Sequence, residues 1–432
     1  MFSVLTEIYT IFLQHPVIVT DSRNLSPSCI FFALKGDRFN GNHFAAEALE
    51  KGASWVVVDE PEYKINHQCL LVEDVLKTLQ DLARLHRRSF QIPVIAVTGT
   101  NGKTTTKELI NAVLLKKYSV VSTAGNLNNH IGVPLTLLRL RKDTQIAVIE
   151  MGANHPGEID FLCSIASPVY GIITNVGRAH LEGFGSFEGV VKTKTELYRF
   201  LAEAKGKVFV NCDDQLLMQQ SDKMERITYG FDDSAWLRGL SRKTGDFVDL
   251  TIQEPGKDAF DVPSKLFGDY NAVNILASAC IGRYFSVSNE AIKQAIKSYE
   301  PSSNRSQLKS SGKNTLLMDA YNANPSSMEA ALRYFASSAY DNKAVILGDM
   351  LELGTESDSL HIYILKLLEE LSFTDVCLVG PVFTRLNTKR EFLCFGDSEL
   401  ARLWFSHHTP GGKTIMLKGS RGIKLETISD IL

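Results

Sequence analysis

The stretch Val94-Ile-Ala-Val-Thr-Gly-Thr-Asn-Gly-Lys-Thr-Thr-Thr106, continuing to Lys117, decides how the rest of the chain is read. Val94 to Val97 is a short apolar, β-branched run, the pattern of a strand buried in a parallel sheet. Leu109, Ile110, Val113 and Leu114 then recur at helical spacing, and Lys116 and Lys117 follow where a helix C-terminus favours cations. Between strand and helix lies a loop with two glycines, a lysine and hydroxyls. Backbone N–H groups freed by Gly99 and Gly102 can point at phosphate oxygens, and the helix N-terminus adds partial positive charge. Lys103 supplies a mobile cation for the β- and γ-phosphates, and Thr104 a hydroxyl for Mg²⁺. Only two residues separate Gly99 from Gly102, where the usual P-loop has four before its Gly-Lys pair. A glycine-rich turn with a solvated lysine is the plain alternative, and the flanking strand and helix speak against it. The loop is expected to bind a nucleoside triphosphate.

Working outward, 432 residues are too many for one ordinary core, and two or three domains are expected. The chain is 44% apolar and 22% charged with a formal net charge of −3, so no excess basicity points to nucleic acid or an anionic membrane. No apolar run approaches a membrane span, and Met1 to Glu7 lacks the basic start of a signal peptide. Seven scattered cysteines with no C-x-x-C pair fit reduced thiols in a cytoplasm.

Residues 1–89 read as a first α/β unit, with strands at Val17–Thr20, Ile30–Leu34 and Trp55–Val58. Arg23 and Arg38 lie in its polar loops, as surface turns or as holders of a diphosphate or base. Residues 90–298 carry further strands at Ile146–Ile149, Tyr170–Thr174 and Lys207–Val210, spaced for crossover helices. That predicts a parallel sheet with helices on both faces and chemistry at the strands' carboxyl ends. Glu150, Asn175 and His180 fall there. Glu150 beside a triphosphate loop suits Mg²⁺; with Gly152 and Pro156 close behind, a helix N-cap is the alternative. The segment Gly125 to Pro134, with Asn128 and Asn129, is either a ligand loop or a set of turns. Residues 299–432 repeat the doubly wound pattern, with strands at Thr315–Met318, Ala344–Leu347, Val376–Val379 and Thr414–Leu417 ending in polar turns.

Taken together, Gly99-Thr-Asn-Gly-Lys-Thr-Thr105, Gly125 to Leu138, Glu150-Met-Gly-Ala-Asn154, Asn175 to Gly185, Tyr321-Asn-Ala-Asn-Pro325 and Leu347-Gly-Asp-Met-Leu-Glu-Leu-Gly354 resemble the Mur ligases, which extend the peptide of the peptidoglycan precursor. Within that family the last two motifs resemble the branch that adds D-alanyl-D-alanine to a UDP-N-acetylmuramoyl-tripeptide. The resemblance implies an α/β protein of three domains: a UDP-sugar (uridine) domain (1–89), a central ATPase and ligase domain (90–298) and a Rossmann-like domain for the amino substrate (299–432). It implies ATP and Mg²⁺ as cofactors, small-molecule substrates, and a monomer in the cytoplasm. Ser22, Arg23, Asp37 and Arg38 match the uridine motifs, and Asn128 and Asn129 fall in a substrate loop. Gly99, Thr100, Asn101, Gly102, Lys103, Thr104 and Thr105 match the ATP loop. Asn271 and Asn274 match the adenine and hinge pattern, with Tyr270 where the family often has histidine. Arg305 matches an arginine that reaches ATP from the C-terminal domain. Asp319, Tyr321 and Asn322 match strand-end residues that meet the nucleotide and the amine.

The resemblance also gives Lys103, Glu150, His180, Lys194 and Arg305 as the catalytic set, with Thr104, Glu150, His180 and Lys194, the last as a carbamate, holding metal. Taking Phe187 to Leu197 as one helix, Lys194 shares a side with Phe187, Val190, Val191 and Leu197, while Lys192 and Glu196 face water. The pattern alone is met by a snorkelling lysine; the resemblance makes it the lysine carbamylated with CO₂. Alternatives are the third-residue Mur ligase, a folylpolyglutamate synthetase-like ligase, or a non-catalytic nucleotide switch.

Overall fold

The computed structural model describes residues 2–244, 247–302, 304–388 and 392–432. Apolar runs become the middles of three sheets. In the first, Ile18–Val19, Ile30–Phe32, Trp55–Val58 and Cys69–Leu71 lie side by side and parallel. The helix Val75–Arg88, capped by Asp74, buries Leu79 and Leu82 in a cluster that runs from Phe32 and Val57 to Val94 and Ala96. One continuous apolar core therefore ties the first sheet to the second.

Among the described residues the second sheet has nine strands. Val120–Ser122, Ile146–Glu150, Val94–Thr98, Tyr170–Ile173, Lys207–Asn211, Glu225–Gly230 and Leu237–Thr244 run parallel in that order. Val248–Gln253 and Phe260–Val262 then extend it antiparallel. This extension departs from the expected all-parallel sheet. Its physical basis is the alternation in Val248–Gln253, where Val248, Leu250 and Ile252 are buried and Asp249 is not, so only one face needs covering. The helix Tyr270–Tyr284 supplies that cover, burying Ile275, Leu276 and Ala279 against Val97, Ile110 and Tyr229.

The third sheet runs Gln307–Ser310, Thr315–Asp319, Thr414–Lys418, Lys343–Gly348, Val376–Val379 and Leu393–Phe395, parallel except for its first strand. Among the described residues no helix is long and apolar enough to cross a membrane.

The run from Phe187 to Leu197 is two helices, Phe187–Lys194 and Glu196–Glu203, meeting at Thr195. The hydroxyls of Thr193 and Thr195 bond back to Gly189 O and Val191 O, a habit that bends helices. Lys192 is exposed as expected, but Glu196 is buried, which corrects its assignment to water. Its carboxylate accepts from Gly157 N (2.8 Å) and Asp160 N (3.0 Å), at the start of the helix Glu158–Ala166.

Candidate functional site

The carboxyl ends of the second and third sheets face one another across a cavity of about 810 Å³. Its floor is the loop from Thr100 to Thr105. Gly99 has φ +139°, and a Cβ there would stand 2.1 Å from Thr174 Oγ1; Gly102 has φ +78° with its own would-be Cβ 2.8 Å from Asn274 Oδ1. Neither position admits a side chain, which lets the backbone turn tightly and opens the helix Lys103–Leu114 directly onto the cavity. The loop is held from below: Thr100 N donates to Asn175 O, and Asn101 N to Asn175 Oδ1 at 3.0 Å. Thr174 Oγ1 and Asn175 Nδ2 both donate to Asn101 O.

Lys103 is half-buried, not a solvated loop lysine, and its Nζ donates to Gly99 O (2.8 Å) and Thr100 O (2.9 Å). Burial pushes its pKa below the usual lysine range; Glu150 opposes that shift and Arg305 adds to it. Glu150 is 1% exposed. Its Oε1 accepts from Thr104 Oγ1 (3.1 Å) and Asn128 Nδ2 (2.8 Å), while the buried Oε2 has no hydrogen-bond partner among the described residues. A bare buried carboxylate oxygen beside a hydroxyl suits Mg²⁺, which takes one or two protein oxygens and fills its shell with phosphate and water. Lys107, which sequence reasoning did not single out, lies buried behind this pair. Its Nζ donates to Thr123 O, and Thr123 Oγ1 accepts from Glu150 N.

His180 stands at φ +52°, its Nδ1 2.5 Å from Glu352 Oε2 of the third sheet's loops. That contact pulls Glu352 below the usual carboxylate range. Lys194 is 2% exposed and lies outside the cavity lining, with Nζ 3.4 Å from Ala153 O and 5.4 Å from the centroid of Phe184. The His180 ring meets the edge of the same phenylalanine. Burial, with the charge of Lys103 next, lowers the Lys194 pKa to about 7. Among the described residues no cluster of three His, Cys, Asp or Glu side chains forms a metal cage.

From the other side come Arg305, Asp319, Tyr321 and Asn322. The Arg305 guanidinium lies 3.4 Å from the centroid of Tyr321. Asp319 accepts from the buried Lys418 at 2.6 Å, and Asn322 Oδ1 from Ala323 N. Asn274 accepts from Thr106 Oγ1 and donates to Asn271, whose amide donates to Phe267 O and to Ser306 Oγ beside Arg305. Both asparagines line the cavity with their amides committed to this chain. Tyr270 fills the neighbouring wall, its hydroxyl 3.4 Å from Ser306 Oγ. Asn129 also lines the cavity, but its Oδ1 accepts from Ile131 N and Gly132 N. Between the two sides, Asn324 Nδ2 donates to Asn101 Oδ1 (2.7 Å) and Asn101 Nδ2 returns to Asn324 Oδ1 (3.4 Å). Of the expected site residues, Ser22, Arg23, Asp37 and Arg38 are absent from this cavity. They follow the first two parallel strands of the first sheet, where Arg23 forks onto Asp21 and holds it down to about 2.

Three family descriptions match in sequence: "Mur ligase family, catalytic domain" over residues 16–87, "Mur ligase middle domain" over 97–282 and "Mur ligase, glutamate ligase domain" over 304–421. The UDP-N-acetylmuramoyl-tripeptide–D-alanyl-D-alanine ligase of Escherichia coli is 35% identical over 95% of this chain and 92% of its own. This chain belongs to the Mur ligase family. The ligase of the same name from Bacillus subtilis is 36% identical to this Mur ligase over 80% of the chain and 75% of its own. A MurF ligase from Thermotoga maritima, solved in complex with ADP, superposes with a TM-score of 0.84 at 27% identity, covering 97% of each chain. Two contacts of this Mur ligase escape local pattern reading, the Glu352–His180 pair and the Asn101–Asn324 pair. The motifs around Leu347–Gly354 and Tyr321–Pro325 were the available signal, without showing which side chain crosses over.

Proposed function

We propose that this Mur ligase joins D-alanyl-D-alanine to UDP-N-acetylmuramoyl-tripeptide at the cost of ATP. The observation that carries the reading is a set of cations left without partners in the cavity. Glu150, Glu158, Asp319 and Glu352 line it too, with Asp319 paired to Lys418 and Glu352 to His180, but among the described residues Lys103, Arg305 and Arg421, which also line it, form no ion pair with a carboxylate. Such a set calls for bound anions, here a triphosphate and carboxylates.

The substrate carboxylate attacks the γ-phosphate to give an acyl phosphate and ADP. The free amine of the dipeptide then attacks the acyl carbon, and the tetrahedral adduct expels phosphate. Little covalent work falls to the protein, so catalysis is positioning and charge neutralisation. Lys103 and Arg305 clamp the γ-phosphate, and the N–H groups of the first turn from Lys103 to Thr105 receive the remaining phosphate oxygens. Thr104 and Glu150 would hold Mg²⁺, which supplies neutralisation of phosphate charge. Lys194, as a carbamate, and His180 would serve a second ion. The low pKa of Lys194 supports that reading, because only a neutral amine adds CO₂. Residues 1–89, with Ser22, Arg23, Asp37 and Arg38, take the UDP end; residues 90–298 take ATP; residues 299–432 take the dipeptide. The enzyme acts as a cytoplasmic monomer.

The test is phosphate release with ATP and Mg²⁺. Release is expected only when the UDP-tripeptide and D-alanyl-D-alanine are both present. Release independent of the dipeptide, or none with both, overturns the reading.

A further inference from the structure

The turn Lys418-Gly-Ser-Arg421 closes the central strand of the third sheet, and its backbone is fixed on every side. Ser420 N donates to Asp349 O, Leu351 N donates to Ser420 Oγ, and Gly419 packs so close to Gly348 that a Cβ would stand 2.9 Å from its Cα. The neighbouring Asp349 carboxylate accepts from Val382 N and Phe383 N, so the loop that grips the turn is itself pinned. From this rigid base Arg421 projects into the cavity, its side chain exposed and 5.4 Å from the centroid of Tyr321. Lys418, three residues earlier, is neutralised by Asp319. Among the described residues no carboxylate pairs with Arg421.

Two guanidinium groups thus stand over one phenol ring. Arg305 is the one whose charge reaches Lys103, which puts it on the phosphate side. Arg421 belongs to a different strand end and keeps a free planar fork. The incoming dipeptide, on the proposed function, has its amine at the acyl carbon beside the γ-phosphate. Its carboxylate must then lie one extended dipeptide away, about 7 Å. Arg305 at 3.4 Å and Arg421 at 5.4 Å from one ring centroid stand no more than about 9 Å apart, within reach of a dipeptide held between phosphate and guanidinium.

We propose that Arg421 binds the terminal carboxylate of the amino substrate and so selects a dipeptide acid. The inference rests on the reading of the amino substrate given above. A planar guanidinium matches a carboxylate with two parallel hydrogen bonds, which a lysine does not reproduce. The rigid turn beneath it sets the distance from the reacting amine, so the site measures length as well as charge.

The experiment compares D-alanyl-D-alanine with D-alanyl-D-alaninamide in wild type, Arg421→Gln and Arg421→Lys, by ATP-dependent phosphate release. Wild type is expected to favour the acid in kcat/KM by roughly 10- to 150-fold, the range of a charged hydrogen bond. In Arg421→Gln the KM for the acid rises by a similar factor, the acid-to-amide ratio falls to about one, and the KM values for ATP and UDP-tripeptide stay within about twofold. Arg421→Lys keeps part of the preference. Because the side chain is exposed, all three proteins should melt together. An unchanged acid-to-amide ratio in Arg421→Gln, or a raised KM for ATP instead, overturns the assignment. If wild type releases no phosphate with either dipeptide, it is the proposed function that falls, and Arg421 with it.

Discussion

Replacing Lys194 by methionine should make the protein more stable, and by an amount that depends on pH. Lys194 sits at 2% exposure with its pKa lowered from 10.5 to about 7. Below pH 7 both the folded and the unfolded chain carry the proton, and the fold bears the whole cost of burying it, about 5 kcal/mol. Between pH 7 and 10.5 the unfolded chain binds a proton that the folded one does not, so stability from this group rises with pH. At pH 9 about 2 kcal/mol of the cost remains. Methionine keeps the stem's volume and carries no charge. The variant should therefore exceed wild type by up to about 5 kcal/mol at pH 6, with the gap narrowing by about 3 kcal/mol at pH 9. The three tryptophans, Trp55, Trp236 and Trp404, fall one to each sheet's unit. Urea unfolding read at Trp236, with the other two replaced by phenylalanine in both proteins, reports the unit that holds Lys194. Bicarbonate-free buffer keeps the amine unmodified. A gap that is absent at pH 6, or that widens towards pH 9, would refute the claim that burial governs this lysine.

Lys194→Ala, which empties the space that methionine would fill, should lose turnover, and formate or acetate should restore part of it by standing in for the carbamate; full activity without them contradicts the assignment. Lys103→Ala should lower kcat by at least about 10²-fold, as expected for one lost phosphate contact; near-normal turnover with normal ATP affinity contradicts its role. Glu196→Ala strips two backbone N–H groups of their acceptor and should cost about 1–3 kcal/mol in urea unfolding; a change below about 0.5 kcal/mol would mean that solvent replaces the carboxylate. Because Lys103 and Arg305 line one cavity from two different sheets, the unliganded enzyme should scatter X-rays as a more extended particle than the enzyme with an ATP analogue and UDP-tripeptide; identical profiles would argue for a fixed arrangement.

Much of the site is local and therefore readable in one dimension. A β-branched run, two glycines, a lysine and an amphipathic helix leave few structures open to Val94–Leu114, and Glu150 and Asn175 follow because parallel strands end on the same side. What the sequence conceals is nonlocal or subtle. The break at Thr195 comes from hydroxyls bonding back along a helix, with no glycine or proline to mark it, so the helical period placed Glu196 on the wrong side. The antiparallel extension goes unread because Leu237–Thr244, the strand it pairs with, carries two arginines and two hydroxyls, and the alternating run Val248–Gln253 spans only six residues. Asn101 and Asn324 are 223 residues apart, and no local pattern brings their amides together. Lys107 reads as one more cation on a helix face until Thr123 O is seen to hold it.

The amide pair between Asn101 and Asn324 has a thermodynamic consequence. Asn101 belongs to the glycine loop and Asn324 caps the helix Pro325–Ser337, so on the proposed function one hydrogen-bonded pair is shared by nucleotide binding and by docking of the C-terminal unit. Linkage is then reciprocal: by whatever factor a bound nucleotide favours docking, docking tightens the nucleotide. On the same reading ATP, ADP and the empty loop would each set their own docking equilibrium, and the difference between the first two would decide whether the chain grips before the chemistry and lets go after it.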